Sequence, residues 1–192
     1  MASPLTTLLS DLHSLFERKK IRWYIFGAQA SILYGASRMT ADVDVTVIYG
    51  DRPIETLLNA LKNEGFDIRV ADAADFVERT RVLPALHKKT GMPIDIVFGG
   101  PGLEEEFERR AHLYNVEGVM VPTASAEDII SMKILAGREK DLEDALAIIS
   151  AQNKKLDMLH IQNTLDMMER ALDRRDLIQL FSSLVRRTNF PD

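Results

Sequence analysis

Cysteine is absent from the 192 residues. That excludes a disulfide frame and any thiolate metal site, and it fits a reducing cytoplasm. No apolar run approaches the roughly 20 residues that a membrane-spanning helix requires. Neither GxGxxG nor GxxxxGK[ST] occurs, so a Rossmann or P-loop nucleotide site is not expected; the GGPG at 99–102 reads as a loop. An excess of basic charge is also missing. The formal net charge of −5 argues against broad, non-specific nucleic-acid binding. His13, His87, His112 and His160 are scattered without metal-ligand spacing and read as ordinary surface or boundary residues. The first twenty residues lack a basic leader, and Asp11 and His13 interrupt their apolar positions. They are expected to form an amphipathic helix and not a signal peptide.

What is present is ordinary globular composition, 46% hydrophobic and 28% charged, at a length that suits one domain or a domain with an appendage. Leu8, Leu9, Leu12, Leu15 and Phe16 share one helical face. Pro53 suits the first turn of a helix running to about Asn63, and FDIRV reads as a strand. RVLPALHKK and MPIDIVFG flank Thr90-Gly91 as a hairpin, in which Pro84 and Pro93 predict edge-exposed or late-entering strands. From Thr123 onward the pattern turns helical. Ser125 with Asp128 predicts a cap, Gly137 predicts a stop, and two further helices follow beyond Gln152. Their apolar faces suit core packing or a dimer or partner face. Two basic groups, Arg79/Arg81/His87/Lys88/Lys89 and Arg174/Arg175/Arg186/Arg187, read as solvated charge or as local nucleic-acid contacts.

The chain is organised around WYIFGAQASILYGASRMTADVDVTVI, residues 23–48. An apolar strand ends at Gly27, a helix of small residues follows, and a second strand alternates strictly. Asp42, Asp44 and Thr46 point one way, and Val43, Val45 and Val47 the other. Carboxylates two residues apart on a strand lie about 7 Å apart. Their repulsion is tolerable where a cation or a proton shares the site. Downstream, Asp95 sits in PIDIVF between apolar neighbours, a costly place for an ionised carboxylate unless something pairs with it.

The string Gly27-Ala28, Gly35, Arg38, Thr40 and Asp42-Val43-Asp44 resembles the signature of the nucleotidyltransferase superfamily, most closely the AbiEii-type nucleotidyltransferase toxins and related bacterial proteins. A second stretch, KILAGREKDLEDA from Lys133 to Ala145, resembles the Lys…Arg-x-Lys-Asp-x-x-Asp segment that follows the catalytic domain in those toxins. The resemblance implies an α/β (α+β) nucleotidyltransferase fold: a mixed sheet flanked by helices in residues 1–122, and a C-terminal helical region in residues 123–192. It implies that Asp42, Asp44 and Asp95 hold Mg²⁺ or Mn²⁺, with Asp95 also the base on the attacking hydroxyl. Gly27 and Ala28 would present helix N–H groups to the triphosphate; Ala28 departs from the family's Gly-Ser and has no hydroxyl. Arg38 would reach a phosphate or form an ion pair with Asp42. Lys133 would contact phosphate, and Asp141 would orient Lys133 or the substrate; ordinary helix chemistry, including a Lys140–Asp144 pair, accounts for the same residues.

The implied activity is transfer of a nucleoside monophosphate from an NTP such as ATP to an acceptor hydroxyl, releasing pyrophosphate. RNA, tRNA in particular, is the implied acceptor, in a cytoplasmic toxin–antitoxin or defence setting with a cognate partner. Adenylylation of a partner protein, and a non-catalytic domain that binds nucleotide or partner, are the alternatives.

Overall fold

A computed structural model describes residues 2–188. The chain divides into two compact units: Met1–Gln29 with Thr40–Ala124, and Ala30–Met39 with Ser125–Asp192. The division falls at the start of the helical composition, but the segment after the first strand joins the C-terminal helices.

The first unit opens with α1 (Pro4–Lys19). Ser3 caps it by accepting the Thr6 N–H, Pro4 occupies the first turn, and Lys20 ends it in a left-handed conformation. Leu8, Leu12, Leu15 and Phe16 are completely buried. Seven strands follow in one mixed sheet: β1 (Arg22–Phe26), β2 (Val43–Ile48), β3 (Phe66–Ile68), β4 (Val82–His87), β5 (Met92–Phe98), β6 (His112–Val116) and β7 (Val119–Thr123). Their order is β3-β4-β5-β2-β1-β7-β6. β2 runs antiparallel to β1 and parallel to β5, and β1 runs parallel to β7. α2 (Gly27–Leu33) leaves β1 directly; α3 (Ile54–Asn63), α4 (Ala73–Thr80) and α5 (Leu103–Arg110) complete the unit.

Alternation sets the two sheet faces apart. Val43, Val45, Val47, Ile94 and Ile96 are fully buried on one face, and Asp44, Asp95 and Val97 are half-exposed on the other. Two strand expectations are corrected. Asp42 lies just before β2, which begins at Val43, and FDIRV forms a strand only over Phe66–Ile68. The prolines also do not mark edges: β4 and β5 both lie inside the sheet. Pro84 falls one residue past the β3 pairing, where its carbonyl accepts from Arg69 N–H. Pro93 falls one residue before the β2 pairing opens at Val43–Ile94. Each missing N–H thus lies where a neighbouring ladder has stopped or has yet to begin.

The second unit holds α6 (Ala126–Ala136), α7 (Glu139–Gln152), α8 (Met158–Leu172) and α9 (Leu177–Arg187). Ser125 caps α6 by accepting the Asp128 N–H, and Gly137 ends it in the left-handed region. Ile130, Ile134, Ile148, Ile161, Leu165 and Phe181 fill its interior, so the apolar stripes of α8 and α9 serve this unit's own core. Gly35, at φ +114°, lets the loop after α2 lie against α7: a Cβ there would stand 2.5 Å from that of Ala151.

Candidate active site

β2 and β5 position the central pair. Asp44 and Asp95 are register partners on these adjacent parallel strands, so their side chains leave the same face side by side. Strand spacing sets their Cα atoms about 4.8 Å apart. Asp42, exposed and two residues upstream, accepts a short hydrogen bond from the Thr40 hydroxyl at its Oδ1. It is also close enough for its charge to act on Asp95. Burial, reinforced by the Asp42 carboxylate and opposed by the Arg69 guanidinium, pushes the Asp95 carboxyl above the ordinary carboxylate range. Register thus brings Asp44 and Asp95 together, and Asp42 acts on Asp95 through its charge.

Gly27 closes the Asp44–Asp95 pair from the β1 side. Its φ is +63°, and a Cβ there would stand 2.0 Å from Asp44 Oδ2. No side chain fits without expelling that carboxylate, so the glycine between β1 and α2 is required by Asp44 as well as by the turn. Ala28, the next residue, is 6% exposed.

Among the described residues, no group of three or more His, Cys, Asp or Glu side chains is gathered tightly enough to hold a metal by protein ligands alone. The donor set nevertheless suits Mg²⁺. That ion keeps several waters and is bound through one or two carboxylates plus substrate phosphates, not by an all-protein cage. Asp44 and Asp95, with Asp42 beside them, are hard oxygen donors of that kind.

Arg38, Lys133 and Asp141 lie in the second unit and form a network of their own. Lys133 Nζ donates to Asp141 Oδ1 at 2.9 Å and to Asp144 Oδ2 at 2.7 Å. Arg38 Nη1 donates to Asp144 Oδ2 at 2.9 Å, and Arg138 Nε donates to Asp141 Oδ2. Lys133, Asp141 and Asp144 are 7%, 1% and 4% exposed. Burial alone would raise the Asp141 carboxyl; hydrogen bonds from Arg138 and Lys133 outweigh it and hold the group below its ordinary value. Arg38 thus pairs with Asp144 and not with Asp42, and Asp144 is engaged by Lys133 and Arg38. Asp144 is a member of this network that the sequence reading does not single out, and its place as the second Asp of the Lys-Asp-x-x-Asp string is the signal for it.

Of the histidines, His87 differs from expectation, and His160 sits at a boundary as expected. His87 is 1% exposed, with Nδ1 2.9 Å from Thr90 Oγ1 and Nε2 3.2 Å from Asp11 Oδ2. It ties the β4–β5 hairpin to α1, and burial keeps it toward the neutral form. His160 Nε2 lies 2.8 Å from Asp128 Oδ1, linking α8 to α6.

Residues 3–183 match a protein family described as "Nucleotidyltransferase of unknown function (DUF6036)". No curated protein matches the sequence. Among solved structures, the antibiotic-resistance factor ANT(2'')-Ia, in its complex with adenylyl-2''-tobramycin, is similar at a TM-score of 0.61 and 14% identity, over 86% of this chain and 99% of that one. The lincosamide antibiotic adenylyltransferase LnuA, bound to lincomycin, is similar at 0.51 and 16%, over 74% and 95%. An antigenic nucleotidyltransferase-like protein from Paracoccidioides brasiliensis is similar at 0.54 and 19%, over 93% and 90%. At these identities the likeness speaks to the fold.

Proposed function

The chain belongs to this nucleotidyltransferase family, and from that premise we propose that it moves a nucleoside monophosphate from an NTP to an acceptor hydroxyl at Asp42, Asp44 and Asp95. One observation carries the reading: Asp44 and Asp95 stand side by side on β2 and β5, with the Gly27 backbone closed onto Asp44. In the proposed reaction the acceptor oxygen attacks the α-phosphorus in line, the bond to the β-phosphate oxygen breaks, and pyrophosphate leaves. Asp95, whose proton affinity is raised, takes the hydroxyl proton. Asp42 and Asp44 would hold Mg²⁺ together with Asp95; when bound, the ion supplies the positive charge that steadies the attacking and leaving oxygens. Gly27 and Ala28, at the start of α2, would offer their backbone N–H groups to the triphosphate.

The acceptor we propose is the 3′ end of an RNA, tRNA in particular. The AbiEii-like string at residues 27–44 supports that choice, and with it a cytoplasmic toxin–antitoxin or defence setting with a cognate partner. For Lys133 and Asp141 we propose a positioning role: their buried pairing fixes α6 against α7.

Incubation of the full chain with Mg²⁺ and α-³²P-labelled NTPs, first with total RNA and then with cell lysate, tests the reading. Label on RNA is expected. Label on protein replaces the acceptor with a partner polypeptide, and nucleotide binding without transfer or pyrophosphate release overturns the enzymatic reading.

A further inference from the structure

The sheet carries a row of side chains through the carboxylates. Asp44 is the register partner of Phe26 on one side and of Asp95 on the other; Asp95 is opposite Pro84 on β4. The β3–β4 pairing runs from Phe66–His87 to Ile68–Ala85, and the Arg69 N–H then donates to Pro84 O at 2.9 Å. Arg69 therefore continues the row one position past β3. Reading across, the order is Arg69, Pro84, Asp95, Asp44, Phe26. Residues directly opposite one another in a sheet share a face, so Arg69 stands on the face of the carboxylates. Its Cα is two strands, about 10 Å, from that of Asp95.

The two flanks of the carboxylate pair differ. On the β1 side the Gly27 turn closes against Asp44. On the β4 side the floor is half-exposed and apolar, made by Val82, Pro84, Leu86, Pro93 and Val97. Prolines give that floor no N–H to offer a ligand. Its one charged neighbour on β3 itself, Asp67, faces the same way through its pairing with Leu86 and is held by Lys88 at 2.8 Å. Arg69 is different. It is exposed, its guanidinium makes no hydrogen bond or ion pair among the described residues, and its charge still bears on Asp95. An arginine serving only to neutralise Asp95 would close into an ion pair. Arg69 instead sits two strands from Asp95 in the row, across Pro84, with its planar guanidinium exposed, a donor of the kind that suits a bidentate oxyanion.

We propose that Arg69 is the acceptor-side anion clamp of this site, selecting an acceptor that carries a phosphate next to the attacking hydroxyl. The inference rests on the transferase reading above and deepens it. It also separates this site from one that takes a polycationic amino sugar, because a cation at Arg69 repels such a substrate from the hydroxyl-activating carboxylate. The phosphate can belong to an RNA backbone or to a mononucleotide.

The test uses the full chain, Mg²⁺ and labelled ATP with four acceptors: a short RNA with a free 3′-OH, a nucleoside 5′-monophosphate, the unphosphorylated nucleoside, and tobramycin. The expected order places the two phosphorylated acceptors first, and their ranking identifies the source. Arg69→Gln should lower kcat/KM for the phosphorylated acceptors by about 10- to 100-fold, chiefly through KM, the worth of a charged hydrogen bond. The unphosphorylated nucleoside should change far less, so the preference for phosphate collapses; Arg69→Lys should restore part of it. Equal loss for all acceptors, an unchanged preference in Arg69→Gln, or tobramycin as the best acceptor overturns the inference while the transferase reading stands. Absence of pyrophosphate release by the parent protein in every arm overturns both. Arg69 is exposed, so an unchanged melting temperature is expected and shows that the variants are folded.

Discussion

Two groups of carboxylates in this protein are settled in opposite ways. Asp141 and Asp144 are almost completely buried, and Lys133, Arg138 and Arg38 meet them with hydrogen-bonded positive charge. Asp42, Asp44 and Asp95 are half-buried or exposed, and Asp95 feels a like charge from Asp42 more strongly than the opposite charge of Arg69. Both groups carry the same chemistry, and only the counter-charge differs. In the helical unit folding supplies the cations, so the acids hold helices together. On the sheet Asp95 meets the opposite charge of Arg69 without a closed ion pair, an arrangement that a cation or a proton can complete.

The sharpest way to break this contrast is to neutralise one acid from each group. Asp44→Asn and Asp95→Asn each keep the side-chain shape and should leave the fold intact. Transfer should fall by about 10³-fold, the scale on which general-base and charge-stabilising groups act. Label transfer and thermal melting on the same preparations check this. Retained activity in either variant removes that carboxylate from the machinery.

Lys133→Ala should show the opposite profile. It removes the buried cation that Asp141 and Asp144 share and leaves each acid with one arginine, Arg138 or Arg38; loss of one partner of a buried pair costs about 3–5 kcal/mol. Denaturant unfolding should register that loss. A Lys133→Ala protein as stable as the parent, but with impaired NTP use, would return Lys133 to a direct phosphate role.

How far the site was legible follows from which interactions are local. The strand alternation, the Ser125 cap, the Gly137 stop and the hairpin at Thr90-Gly91 depend on neighbours a few residues away, and the structure has them where the sequence places them. The shared face of Asp44 and Asp95 depends on pairing between strands some fifty positions apart, and it entered the sequence reading through family resemblance, not through periodicity. Arg69 had no signal of its own. Its place across from Asp95 exists only once β3, β4 and β5 are in register. Arg38 found Asp144, 106 positions away, because the segment after α2 belongs with the helices of the second unit. The prolines misled for a related reason: a missing N–H marks an edge only if a ladder runs past it.

Gly27→Ala sharpens the comparison from the backbone side and should have an intermediate effect. The new Cβ would overlap Asp44 Oδ2, and the position keeps φ +63°. The turn should lose about 1 kcal/mol or more, and displacement of Asp44 should reduce transfer by about 10²-fold, the penalty for misplacing a reacting group by an ångström. Full activity in Gly27→Ala would show that Asp44 need not sit where it does.

The smallest effect is also the most discriminating, because the two groups should respond to pH with opposite sign. Asp141 is held below the ordinary value of 3.8 in the fold. Its ionised form is favoured there, so its stabilisation is present above 3.8 and is lost as pH falls through the folded value. Asp95 is raised above 3.8. Between 3.8 and its folded value the native state binds more protons than the unfolded chain, so stability declines as pH rises through that window and stays lowered above it. In EDTA, Asp95→Asn should therefore melt slightly above the parent at neutral pH, with the difference vanishing as pH falls below 3.8. Asp141→Asn should melt well below the parent at neutral pH, with its deficit shrinking only at still lower pH. Addition of Mg²⁺ at neutral pH should raise the parent's melting temperature by mass action on the folded state, and raise that of Asp95→Asn less. If Asp95→Asn is less stable than the parent at neutral pH without metal, Asp95 is a fold-supporting acid like Asp141, and the contrast between the two groups fails at its centre.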